Sequence, residues 1–228
     1  MKRISGFAFG TFFLLCAAVV AWASLAITGP WAVKRTVESA GTDTLGQDVS
    51  VENASLSMFG GTLRLSDLRV ANPPGYQDEI MIHLDSGVAN IDVWSLLRET
   101  VIIRRMELDG VVLIVEQRGL DNNLHEVMGC VRNAEHEGRR DALRKQLRID
   151  SVLLSNVRVR SMLSSVPGGG GTFELALGPI EIHNLGHDEE LSLPVLVGKL
   201  LQAIASGAAD KGLRILPDDT IGLAGKQS

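Results

Sequence analysis

From Val49 to Glu116 and again from Leu147 to Ile182 the apolar residues of this chain recur largely at alternate positions, in runs separated by glycine, proline and asparagine. Successive strand residues point to opposite faces, so a chain patterned this way buries its apolar side by building a sheet with one dry face. Val49 and Val51, then Leu56 and Met58, alternate with polar residues, and a bulge is expected near Asn53-Ala54 where the phase slips. Phe59-Gly60-Gly61-Thr62 reads as a turn, and Leu63, Leu65, Leu68 and Val70 return as the second strand of a hairpin. Asn72-Pro73-Pro74-Gly75 ends it, because proline offers the ladder no N–H. Residues 79–93 read as a third strand, 94–98 as a one-turn helix or corner, and 101–116 as a long β-branched strand interrupted at Asp109-Gly110. Residues 147–163 and 173–182 give further strands, joined by the glycine loop Gly168 to Gly171, for about seven in all.

Two segments have helical periodicity instead. Residues 122–146 carry Leu124, Val127, Met128 and Val131 as a narrow stripe. Leu193, Leu196, Val197, Leu200, Leu201, Ile204 and Ala208 form a wider one, with Ser192 as the expected cap and Pro194 in the first turn.

The start of the chain is different again. Ile4 to Ile27 is almost wholly apolar and follows Lys2 and Arg3, with no acid in the first 28 positions. A run of about 20 apolar residues matches the ~30 Å core of a bilayer. It reads as an uncleaved signal anchor; the competing reading is a secretory signal cut after Ala21-Trp22-Ala23, although the run exceeds the ~7–15 residues usual for one. The expected fold class is therefore α+β: an N-terminal transmembrane helix followed by a curved, mostly antiparallel β-sheet with two flanking amphipathic helices. The expected domains are a transmembrane anchor at 1–28, a juxtamembrane helix and linker at 29–47, a β-rich domain at 48–209 and a flexible tail at 210–228. The bulk of the chain is expected to be exported.

A net charge of −5 argues against a nucleic-acid partner, which would require a basic face. Arg139, Arg140, Arg144 and Lys145 cluster, either as a solvated helix face or against anionic headgroups. The two cysteines, Cys16 and Cys130, provide no disulfide framework. The five histidines lack metal-ligand spacing, and the four glycines at 168–171 lack the Lys-Ser/Thr of a phosphate loop. Asp188-Glu189-Glu190 and Asp218-Asp219 read as solvated charge, and no nucleophile motif is present. No catalytic, cofactor-binding or metal residue is therefore predicted, and the expectation is a protein that is not an enzyme. The candidate functional positions are apolar. Leu63, Leu65, Ile82, Leu84, Ile103, Leu113, Val115, Val157, Val159, Leu175 and Leu177 are the candidate lipid-facing positions of the sheet. Leu196, Leu200 and Ile204 mark a candidate partner-binding or groove-covering helix.

Several short motifs occur in a recognisable order. Leu45-Gly46 precedes Val49 and Val51; Gly61-Thr62-Leu63 leads to Leu65-Ser66-Asp67-Leu68; Asn72-Pro73-Pro74-Gly75, Ser95-Leu96-Leu97, Asp109-Gly110, Gly119 and Asn122-Asn123 follow. In this order the chain resembles the AsmA-like family, and the stretch from Leu177-Gly178-Pro179 to Leu185-Gly186 resembles its short members. The resemblance implies an inner-membrane-anchored, single-pass protein of a diderm bacterium with most of its mass in the periplasm. It implies a role in phospholipid handling or outer-membrane homeostasis, with no catalytic residue to carry over. The implied partners are the bilayer, phospholipid acyl chains and other envelope proteins. Seven strands at ~4.8 Å spacing reach only ~34 Å, so this chain alone spans no gap between membranes. Two functions remain: an open apolar sheet that shields lipid, or a closed domain that serves as a structural or assembly factor for partner proteins.

Overall fold

The computed structural model describes residues 29, 31–57, 59–118, 121–138, 145–163, 172–213 and 215. Helix α1 covers residues 31–45. It is followed by β1 (Val49–Ser57), β2 (Thr62–Ala71), β3 (Ile80–Ile91), a 3-10 turn (Val93–Leu97), β4 (Thr100–Arg118), β5 (Asp121–Asn122) and α2 (Asn123–Gly138). The second half comprises β6 (Gln146–Ser155), β7 (Arg158–Leu163), β8 (Thr172–Ala176), β9 (Ile180–Leu185) and α3 (Leu193–Asp210).

The strands form one sheet in the order β1-β2-β3-β4-β6-β9, with β7 beside the second half of β4 and β8 beside β7. β6 and β7 are successive stretches of one row, as are β8 and β9, so the sheet is effectively six rows wide. Six of its eight strand pairings among the described residues are antiparallel; the exceptions are β6 and β7, which both run parallel to β4. Parallel neighbours need a long crossover, and α2 lies within the one that joins β4 to β6. The expected architecture is corrected in one respect. Among the described residues no helix is long and apolar enough to cross a membrane. Residues 1–28, read from sequence as a transmembrane signal anchor, lie outside the described residues. Among the described residues the fold is a mostly β α+β domain with three helices, none of them a transmembrane element, and the single-pass inner-membrane, periplasmic localisation inferred from residues 1–28 is withdrawn. Of the helix expected over 122–146 the described part is Asn123–Gly138, and Gln146 belongs to β6.

A transverse seam of left-handed residues organises the sheet. Asp67 (φ 51), Gly110 (φ 72) and Asn156 (φ 53) occupy the left-handed region. The pairs Ser66↔Ser86 and Leu68↔Leu84 put Asp67 opposite Asp85, and Leu84↔Val111 with Ser86↔Asp109 puts Asp85 opposite Gly110. Asp109↔Ser155 then sets Gly110 beside Asn156. A left-handed residue turns the pleat by half a period. Inward residues on either side of the seam are three apart instead of two, on strands with a left-handed residue and on their neighbours alike: Val51 and Ala54, Leu84 and Gly87, Leu154 and Val157 are all buried. Asn184 (φ 57) shifts β9 in the same way, between inward Ile182 and Leu185.

Polar side chains tie the seam on the outer face. Asp67 accepts from Arg69 Nε (2.8 Å) and Nη2 (2.5 Å) and lies 2.9 Å from His83 Nε2. The hydrogen bonds from Arg69, then His83, hold the Asp67 carboxyl below its usual range. Asp109 Oδ1 accepts from Ser155 Oγ (2.5 Å) and Asn156 Nδ2 (2.7 Å).

The inner face is dry and covered. α1 runs along the β1 edge, where Thr42 Oγ1 and Glu38 Oε1 accept from the Val49 and Val51 amides, both at 3.0 Å. Edge groups satisfied in this way offer no template for a foreign strand. Leu124, Val127 and Val131 of α2 and Leu196, Leu201 and Ile204 of α3 join Leu113, Ile149, Val152 and Leu154 of the sheet in a single buried cluster. Ser192 holds the extended N-cap position of α3, yet its side chain makes no cap hydrogen bond, and Pro194 supplies the first-turn geometry.

A Cβ on Gly110 would lie 2.0 Å from Asp85 Oδ2, on a backbone that L residues avoid. Gly110→Ala is therefore expected to cost roughly 2 kcal/mol or more in urea unfolding, while Asn156→Gly stays within about 1 kcal/mol of the parent. Equal losses for the two variants would contradict the seam.

Candidate functional site

The structure gathers most of the candidate apolar positions in one place, beneath the helices. Leu84, Ile103, Leu113, Val115, Val157, Val159 and Leu177 are buried, with Leu113, Val157 and Val159 fully so. Leu63, Leu65, Ile82 and Leu175 are half-buried. Leu196 and Ile204 of α3 are buried among them at 3% exposure each, and Leu200 is half-buried. α3 thus covers the sheet through its own apolar stripe.

One polar assembly closes the C-terminal end of β4. Glu116 is 1% exposed. Its Oε1 accepts from Asn72 Nδ2 (2.8 Å) and the Asp78 amide (2.7 Å), and its Oε2 from the Gln77 amide (2.7 Å). Asn123, at 0% exposure, donates to Asn72 Oδ1 and Ile114 O, both at 2.9 Å, and accepts from the Glu116 amide at 3.0 Å. A carboxylate leaves water at high cost unless donors replace its hydration, and here three N–H groups do so. The result is a clasp that folds residues 72–78 back over the strand. Arg118 stacks on the Tyr76 ring at 5.0 Å, extending the clasp outward. Burial raises the Tyr76 phenol above its ordinary value, and the neighbouring Glu126 carboxylate adds to the shift.

A second feature lies between the helices. α2, α3 and β9 enclose a cleft of about 470 Å³. Met128, Val131, Ile182, Leu185 and Val195 contribute apolar walls, and Arg132, Glu135, Glu189 and Lys199 also line it. Lys199 Nζ is 2.8 Å from Glu189 Oε1.

Sequence reasoning passed over Glu116 and the cleft. Glu116 follows Val115 in a β-branched strand and looks locally like any outward polar residue. Its partner Asn72 lies 44 positions away, and no local period reveals such a contact. The signal that was present is the pairing of Asn72-Pro73-Pro74-Gly75 with Asn122-Asn123 in the family-like motif set; Asn72 and Asn123 meet at Glu116. Of the basic cluster, Arg139, Arg140 and Arg144 lie outside the described residues, as do Gly168 to Gly171. Lys145 donates to Leu96 O and, at 3.2 Å, to Arg98 O. Among the described residues no group of three or more His, Cys, Asp or Glu side chains is arranged to hold a metal. Compared with known proteins, the chain matches no family model and no curated sequence.

Glu116→Ala strands three donors, and equilibrium unfolding is expected to show a loss of about 3 kcal/mol together with faster hydrogen exchange at the Gln77 and Asp78 amides. A loss under about 1 kcal/mol would mean that the clasp is solvated. Tyr76 is the only tyrosine, so its ionisation can be followed by absorbance alone. A phenol whose folded value is raised adds stability that is complete below the unfolded value and is lost as pH climbs through the folded one. The native midpoint is expected above 10, falling to about 10 in urea. A native midpoint at or below the unfolded one would contradict the burial.

Proposed function

We propose that this chain is a non-catalytic, AsmA-like domain that serves as a structural or assembly factor, presenting its polar outer surfaces to partner proteins. The observation that carries this reading is the closed inner face: seven of the eleven apolar positions expected to meet lipid are buried with α2 and α3 in one core. A sheet that shielded acyl chains along its length would need that face open. Here the area is already removed from water by the protein's own leucines, isoleucines and valines, each worth about 1.5–3 kcal/mol when fully buried. A lipid would have to displace α3 and forfeit those contacts. The outer face offers instead the salt-bridged surface of Asp67, Arg69 and His83, continuous across the seam with Asp109 and Asn156.

Val159→Asp separates the two functions. Val159 is at 0% exposure on the inner face. If the face is closed, the carboxylate has no solvated position, and the variant is expected to lose at least about 4 kcal/mol of stability, seen as a collapsed thermal midpoint. If the face is a lipid trough, the variant stays folded and loses only phospholipid transfer between vesicles. A folded, transfer-deficient Val159→Asp would overturn the proposal.

A further inference from the structure

The helices that close the sheet do not close on each other. Between α2 and α3 the cleft is walled by Met128 and Val131 on one side and by Val195 and Gly198 on the other, with Ile182 and Leu185 of β9 beneath. Gly198 holds it open. A Cβ at that position would lie 3.5 Å from Val131 Cγ1, an ordinary contact, so the glycine leaves unfilled a gap that a side chain would occupy without strain. Interiors pack to near-crystalline density, and an apolar gap of about 470 Å³ falls in the range of small-molecule sites.

The lining is not uniformly apolar. Lys199 is neutralised by Glu189 at 2.8 Å. Arg132, exposed on α2, makes no ion pair among the described residues. Glu135 stands one turn further along the same helix and also lines the cleft; of the two cations in the lining, Lys199 is paired with Glu189 and Arg132 has no ion pair among the described residues. An apolar trench beside a guanidinium that has no ion pair among the described residues suits a hydrocarbon chain ending in a single anionic group. The trench takes methylenes from water, and the guanidinium offers a planar fork suited to a carboxylate.

We infer that the α2–α3 cleft binds a single-chain anionic amphiphile, with its chain along Met128, Val131, Ile182 and Leu185 and its carboxylate at Arg132. This site is separate from the covered sheet face and does not require the sheet to open. The partner-binding function proposed above can therefore fail while this inference stands, and the reverse.

Titration calorimetry of the full chain with laurate, and in parallel with the uncharged lauryl alcohol, tests it. Laurate is expected to bind saturably at one site. Arg132→Gln is expected to weaken laurate about tenfold or more while leaving lauryl alcohol unchanged. Gly198→Leu fills the gap and is expected to abolish binding of both at an unchanged or raised thermal midpoint, since leucine also favours the helix. Should Gly198→Leu fail to fold, Ala203→Met narrows the same cleft from the next turn of α3 and is expected to weaken both ligands. The inference is overturned by absence of saturable laurate binding, or by parental affinity in a folded cleft-filling variant. An equal effect of Arg132→Gln on the two ligands would overturn the anionic assignment.

Discussion

A sheet with one apolar face must hide that face, and everything distinctive about this fold follows from how it does so. The hydrophobic driving force is proportional to the apolar area covered, and a six-row sheet presents more of it than one helix can cover. Three helices divide the task. α1 lies along the β1 edge and satisfies its outward amides through Thr42 and Glu38. α2 and α3 share the interior, with Val127, Val131, Leu201 and Ile204 meeting Leu113, Ile149 and Leu154. The clasp at Glu116 finishes the closure by folding residues 72–78 over the far end of β4. The rigidity of the domain thus comes from both apolar and polar contacts, and the polar ones sit where backbone would otherwise be left unpaired.

The seam determines which residues are available to be covered. Without left-handed residues at Asp67, Gly110 and Asn156, the strict alternation of β2, β4 and β6–β7 would turn half of their apolar residues to solvent. The shift occurs on adjacent strands at the same level, so the pairing registers remain matched through it. A defect confined to one strand would have cost ladder hydrogen bonds. Spread across the sheet, it reverses the pleat with the ladders intact on both sides.

Much of this was legible in the sequence, for physical reasons that differ from element to element. Strand positions follow from period-two patterning, which is local, so Val49–Ser57, Thr62–Ala71 and the long Thr100–Arg118 were visible, and the Asp109-Gly110 interruption marked the seam. The stripe of Leu196, Leu201 and Ile204 was visible because helical periodicity is local too. What stayed hidden is long-range. The direction in which β6 joins β4 depends on how α2 crosses the sheet, and nothing in Leu147–Ser155 encodes parallel rather than antiparallel pairing. The burial of Glu116 depends on Asn72, and the cleft depends on Gly198 facing Val131 across two helices. In each case the partner is fixed by topology, and a hydrophobic pattern read one segment at a time carries no information about it.

The central claim, that the apolar sheet face is filled by the protein's own helices, is tested most directly by methyl NMR with paramagnetic probes. The Leu113, Val157 and Val159 methyls should keep their intensity both with a soluble relaxation agent and with vesicles carrying a spin label on the acyl chain. Selective broadening of those three signals by the acyl-chain label would show that lipid reaches the inner face and would contradict the account.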